Sequence, residues 1–264
     1  MRVGWLAAGV LALAGTLAAE DAGIVPNENL VVDGIPKLPS SIAESVGRYT
    51  EFRAATFRSW HPTRREMLIT TRFADTNQVH LVRAPGAARR QLTFFPDRVA
   101  AASFPRHADD YFVFAKDKGG DEFSQVYRYD LATGAITRLS DGGRSQNSLG
   151  PWSHAGDRMA YGSTRRNGAD RDLYVVDPKD PKSDRKLAEV QGGGWQATGW
   201  SPDDKQVVAL EEISINESYL WLLDVATGGK RLLTPKGGAE ATSTITSPAA
   251  APTYPPPAPL CRCG

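Results

Sequence analysis

Apolar and polar positions along this chain recur on a long period. Four short apolar runs fall into one register: "VHLVR" ending at Arg83, "VYRYD" at Asp130, "LYVVD" at Asp177 and "LWLLD" at Asp224, each end 47 residues past the one before. Their β-branched and aromatic content suits a pleated strand. Three residues before each end stand His80, Tyr127, Tyr174 and Trp221, and Leu92, Leu139, Leu187 and Leu233 follow nine or ten residues after it. Two copies share a turn, "DLATG" from Asp130 and "DVATG" from Asp224. A strand precedes each run, at Met67–Thr71, Tyr111–Ala115, Met159–Ser163 and Val207–Leu210, and a third follows it in "RRQLT", "ITRLS", "DRKLA" and "KRLLT". Three units open on a tryptophan and a turn: "WHPTRR" at Trp60, "WSHAGD" at Trp152 and "WSPDDK" at Trp200. A period between about 40 and 50 residues, with several short strands in each, is the signature of propeller blades. The fold class predicted is all-β: a partial β-propeller of about four blades over residues 59–237.

One blade cannot bury both of its faces, so blades must stack on one another. On that reading Tyr127, Tyr174 and Trp221 fill space between blades, and Trp60, Trp152 and Trp200 pack at blade edges. Asn167-Gly168 suits a hairpin connection that needs positive φ. Four blades predict an open arc, with sheet faces and edges left exposed at its ends. Residues 20–58 break the pattern. Ile42, Val46 and Tyr49 recur at helical spacing, and Ser40 or Ser41 with Glu44 resembles a capping box, which predicts a short helix.

Composition excludes some classes. The 264 residues carry a net charge of +1, with 41% hydrophobic and 23% charged residues, which argues against a dedicated nucleic-acid binder. Residues 1–19, "MRVGWLAAGVLALAGTLAA", read as a secretory signal peptide, with Arg2 before a short apolar stretch and small residues at its end. Export to a periplasm or the outside is expected, with no membrane association after cleavage. Cys261 and Cys263 stand two apart, too close for an easy mutual disulfide and without partners for a metal site. Residues 238–264 are rich in Ala, Pro, Ser and Thr and predict a disordered tail.

Candidate chemistry is sparse. Ser153 and Ser201 lie in repeat turns without the flanking glycines of a nucleophile elbow, and His61, His80, His107 and His154 are scattered. Asp121-Glu122 reads as a hairpin tip, since Ca²⁺ needs several spaced oxygen ligands. Arg165-Arg166 beside Asp170 and Asp172 reads as a turn-stabilising charge cluster. "QGGGW" from Gln191 is followed by no helix, so a phosphate cradle is unsupported. Glu211 and Glu212 are paired carboxylates, but neighbours on a strand point to opposite faces. No catalytic residue, cofactor or metal site is assigned on the residues.

The stretches "RQLTFFPDRV" (Arg90–Val99), "DKGGDEFSQVYRYD" (Asp117–Asp130), "YGSTRRNGADRDLYVVDP" (Tyr161–Pro178) and "EEISINESYLWLLD" (Glu211–Asp224) carry a resemblance. Over roughly residues 27–237 the chain resembles the N-terminal propeller of the prolyl oligopeptidase family of serine peptidases, in its secreted dipeptidyl-aminopeptidase or acylaminoacyl-peptidase form. The "WSPDDK" element is shared with TolB-like propellers. The resemblance implies a propeller that gates peptide access to an α/β-hydrolase domain, peptides as partners, and Glu211 and Glu212 as weak candidates for holding a substrate's amine. The Gly-x-Ser-x-Gly elbow of that hydrolase is not in this sequence, so a truncated and inactive gene product is expected. The alternative is a periplasmic TolB-like propeller that scaffolds a protein partner.

Overall fold

The computed structural model describes residues 23–26 and 28–235; the stretch read as a signal peptide at 1–19, the stretch read as a tail at 238–264, Cys261 and Cys263 lie outside the described residues. The chain divides into two units, residues 1–54 and 55–264. In the first, α1 spans Ser40–Thr50 and carries Ile42, Val46 and Tyr49 on its exposed side. Pro39 takes the N-cap position, so the cap is not the serine expected: a proline before the first turn presets φ and has no side-chain oxygen to offer.

The second unit is four antiparallel sheets of four strands, each a simple meander in chain order. The first sheet holds β1 (Thr56–Trp60), β2 (Met67–Thr71), β3 (Gln78–Val82) and β4 (Arg89–Gln91). The second holds β5 (Val99–Ser103), β6 (Tyr111–Lys116), β7 (Gln125–Asp130) and β8 (Ile136–Arg138). The third holds β9 (Asn147–Trp152), β10 (Met159–Ser163), β11 (Asp172–Asp177) and β12 (Asp180–Ala188). The fourth holds β13 (Trp195–Trp200), β14 (Gln206–Ser214), β15 (Glu217–Asp224) and β16 (Lys230–Leu232). The fold is the all-β, open propeller-like array expected from the repeat.

Each blade has one strand more than the three read from the sequence. The added strand is the first, and the boundary drawn at 58/59 falls inside β1. These strands are written "TFRSW", "VAAAS", "NSLGPW" and "WQATGW", without the apolar alternation that marks a half-buried strand. Crowding explains their small residues. First strands of blades 1 and 2, and of blades 3 and 4, pack on each other, and a Cβ at Gly150, or at Gly194 just before β13, would overlap the carbonyl oxygen of Ala160 or Glu212 on the second strand of the same blade.

The core is three clusters, one at each joint between consecutive blades. Leu68, Val79, Leu81 and Leu92 of blade 1 meet Phe104, Phe112 and Phe114 of blade 2. Val113, Val126 and Leu139 of blade 2 meet Trp152, Met159, Tyr161 and Tyr174 of blade 3. Leu173, Val175 and Leu187 of blade 3 meet Trp195, Trp200, Val207 and Leu223 of blade 4. No cluster joins blade 4 to blade 1 among the described residues, and the array is not closed.

The position that ends each first strand shows how a joint works. Trp200 donates its indole N–H to the Pro151 carbonyl at 2.9 Å, and Trp152 to Ser103 Oγ at 2.9 Å. Phe104 holds the same place in blade 2, where its backbone N–H donates to Ser59 Oγ at 3.1 Å. Each contact reaches the residue just before the equivalent position in the preceding blade. These three are 4–7% exposed, whereas Trp60, in the first blade, is 63% exposed because no blade precedes it.

Candidate functional site

Successive blades are also stapled through the turns after their first strands. In blade 1, His61 Nδ1 accepts the backbone N–H groups of Thr63 and Arg64 at 3.2 and 3.0 Å, and Arg64 reaches Asp109 of blade 2 at 3.1 Å. A ring nitrogen of His107 lies 2.9 Å from the His154 carbonyl in blade 3. Asp204 of blade 4 accepts the backbone N–H groups of His154 and Ala155 at 2.6 and 2.8 Å. Burial pushes the Asp204 carboxyl up, but those two donors and the His154 ring outweigh it and hold the group below the usual carboxylate range. Asp204 does this from φ +56°, in the place that Gly156 fills at φ +71° one blade earlier.

The two serines of these turns are committed to them. Ser153, fully buried, donates to Asp157 Oδ1 at 2.8 Å, and Ser201 donates to Asp203 Oδ1 at 2.6 Å. A nucleophilic hydroxyl needs a base in reach and an exposed oxygen, and a carboxylate acceptor in a turn supplies neither arrangement. His80 is enclosed in blade 1, with the Phe73 ring edge 5.1 Å away and the Gln78 carbonyl 3.0 Å from Nδ1. Burial lowers the pKa of His80, and of His61 as well.

A second set of polar side chains anchors the loops that carry the chain from blade to blade. The first residue of the third strand is Gln78, Gln125 and Asp172 in blades 1 to 3, all buried. Gln78 Nε2 donates to the carbonyls of Phe95 and Asp97, and its Oε1 accepts the Phe95 N–H. Gln125 makes the same clasp with Gly142, Gly143 and Ser145. Asp172 accepts the Val190 N–H at 3.0 Å and takes a fork from Arg166 at 2.7 and 3.1 Å. Arg166 also reaches Asp170 at 2.9 Å, whereas Arg165 turns away to Asp184 and the Tyr174 ring. The Gly119–Glu122 stretch is the β6–β7 hairpin tip, with Gly119, Gly120 and Glu122 at positive φ. Gly168 likewise takes φ +79° next to Asn167, whose side-chain oxygen accepts two backbone N–H groups.

The concave feature with most chemical character lies at the joint of blades 3 and 4. It is an open depression of about 450 Å³. Blade 3 contributes Arg166, Asp170 and Glu189, and blade 4 contributes Trp195, Glu211, Trp221 and Lys230. Strand pairing brings the blade 4 group together: Trp195 stands opposite Glu211 across β13 and β14, and Ala209, two residues before Glu211, stands opposite Trp221. The two indoles lie 5.7 Å apart, and Trp221 Nε1 donates to Glu211 Oε2 at 2.8 Å. Lys230 sits 5.8 Å above the Trp195 ring and donates to the Glu189 carbonyl. Trp195 is buried and its ring already faces Lys230, so a cationic group would meet the half-buried Trp221 beside the carboxylates. The lining residues include no serine, threonine, cysteine or histidine.

Glu212 points elsewhere, into a smaller depression of about 210 Å³ lined by Ser148, Arg171 and Trp195. The two adjacent glutamates therefore cannot clamp one group. Tyr127, Tyr174 and Trp221 all stand at the same strand position, Tyr127 stacked on Phe114 at 5.2 Å and Tyr174 tilted against Tyr161 at 5.7 Å. Sequence reading missed Phe104, Trp195 and Lys230. Phe104 hides because blade 2 has no tryptophan, although its offset before the second strand gives it away. Trp195 and Lys230 become neighbours of Glu211 only through strand pairing. Among the described residues no group of three or more His, Cys, Asp or Glu side chains could hold a metal ion.

No protein-family model and no curated protein matches this sequence. Solved structures do. TolB from Acinetobacter baumannii is 19% identical with a TM-score of 0.51, over 69% of this chain and 44% of that one. A putative TolB from Agrobacterium tumefaciens is 17% identical with a TM-score of 0.47, over 63% of this chain and 60% of that one. A prolyl endopeptidase is 13% identical with a TM-score of 0.41, over 68% of this chain and 34% of that one. The chain thus spans less than two thirds of the length of each. What the first of these likenesses shows is the fold, a TolB-like β-propeller array.

Proposed function

We propose that this chain is the propeller part of an exported peptidase-like protein, and that it admits and orients peptides and does not cut them. The carrying observation is the blade 3–4 depression, where Glu211 and Trp221, with Asp170 and Glu189, form a surface suited to a peptide's cationic end and no serine, threonine, cysteine or histidine stands in the lining. The four family-like stretches give the peptide as ligand class, and the turn-bound Ser153 and Ser201 support a non-cleaving role. The test uses the purified chain with aminoacyl and prolyl chromogenic substrates, and with short peptides bearing free or acetylated amines. No turnover is expected. The free-amine peptides should perturb tryptophan fluorescence, and Glu211→Gln should weaken that response. Turnover abolished by a serine-directed inhibitor would overturn the reading. A scaffolding role is the second reading, favoured by the uncovered outer faces of blades 1 and 4; a protein partner retained on the folded chain, together with indifference to peptides, would select it.

A further inference from the structure

We propose that two copies of this chain join head to tail, blade 4 of each against blade 1 of the other, to close a ring of eight blades. The inference is independent of the peptide-binding reading. It starts from two repeat positions that are buried wherever a neighbouring blade exists and exposed where one does not. Facing the preceding blade, Phe104, Trp152 and Trp200 are buried and Trp60 is exposed, with Phe57 beside it at 5.3 Å. Facing the following blade, Leu92, Leu139 and Leu187 are buried, whereas Leu233 is 42% exposed. Around Leu233 the same face of blade 4 carries Val208, Leu220 and Leu222, all half-buried. Their counterparts in blade 3, Ala160, Leu173 and Val175, are fully enclosed by blade 4.

The first and fourth blades therefore expose the two halves of an interface that the array already makes three times. What fits the first half is a surface like the second, and a second copy brings both. The polar contacts match as well. The acceptor position before each first-strand end is used at Ser59, Ser103 and Pro151. Its fourth occurrence is Gly199, where a side chain would meet nothing within 4 Å, and the proposed joint pairs the Trp60 indole N–H of a second copy with the Gly199 carbonyl. In the turns, Arg64 holds the place of Asp204, and Asp203 the place of Ala155, which receives the Asp204 staple. Arg64 already reaches Glu66 and Asp109 in its own chain, so an ion pair to Asp203 at the new joint would be shared with those carboxylates. A two-fold axis makes the two joints identical and leaves no free blade face, and eight blades lie within the range propellers adopt.

The experiment is light scattering of the full chain after size exclusion, with Trp60→Glu, Leu233→Glu and an equal mixture of the two. The expected mass is twice the 28.5 kDa of one chain. Both substituted positions are exposed in the single chain, so each variant should keep its strand circular dichroism. Each should lower dimer affinity at least about a hundredfold, because the introduced charge is buried at both joints. Mixing should restore dimers: in the mixed pair one joint carries both charges and the other carries none. A single-chain mass for the unsubstituted protein, an open-ended ladder of larger masses, or a dimer that survives both substitutions overturns the proposal. So does a mixture that stays monomeric, since a face-to-face dimer would give that result.

Discussion

Asp204 offers the sharpest check on how the blades are held together. Its carboxylate takes two backbone N–H groups from the preceding blade while its own φ is +56°, and its side chain is only 11% exposed. Replacing it separates the two effects. Asp204→Ala loses both charge-assisted bonds, about 1.5–3 kcal/mol each before water partly replaces them, and keeps an unfavourable backbone that costs an alanine about 1–2 kcal/mol. A net loss of about 3–5 kcal/mol is expected. Asp204→Gly loses the same bonds but relieves the backbone, as Gly156 does at the matching place, so about 2–3 kcal/mol should go. Asp204→Asn keeps one acceptor oxygen and tolerates the left-handed region, for a loss of about 1 kcal/mol. Urea unfolding followed by circular dichroism reads this as a falling midpoint in the order Asp, Asn, Gly, Ala at constant slope. The folded-state pKa of Asp204 is lowered, so the contribution is complete above the ordinary carboxylate range and disappears as pH falls through the folded value. Wild-type stability in the glycine variant would refute the staple, and alanine and glycine variants that unfold together would refute the backbone cost at this position.

Other expectations follow from the same joints. Trp152→Ala empties the blade 2–3 core and removes the indole N–H that Ser103 Oγ accepts, and should cost about 3–5 kcal/mol in chemical denaturation, while Trp152→Phe, which keeps most of the packing, loses far less. Gly194→Ala drives a methyl into the Glu212 carbonyl, so a loss of about 2–3 kcal/mol should appear as a lower thermal midpoint; an unchanged midpoint would mean that β13 and β14 are not so close. His80 is buried with a lowered pKa, so the unfolded chain binds its proton first as pH falls below the ordinary histidine range. Stability should then drop by up to about 1.4 kcal/mol per pH unit for this group until the folded value is reached, and His80→Phe should flatten that part of the pH profile.

The sequence by itself determined the repeat, the second, third and fourth strands of every blade, and the helix at Ser40–Thr50, because these elements show themselves in local periodicity. The loop serines, the hairpin at Asn167-Gly168 and the opposed directions of Glu211 and Glu212 were legible for the same reason: turn chemistry and strand alternation act between near neighbours. Tertiary structure decided the rest. The first strands carry little apolar pattern, since close backbone approach to the paired second strand selects small residues at places such as Gly150. That Trp60 and Leu233 stand open while their repeats are buried depends on which blades have neighbours, and local sequence does not encode that count. The depression around Glu211 exists because β13 to β16 and the loops of blade 3 bring together residues from Arg166 to Lys230, contacts that cost chain entropy and are stable only once the blades have packed.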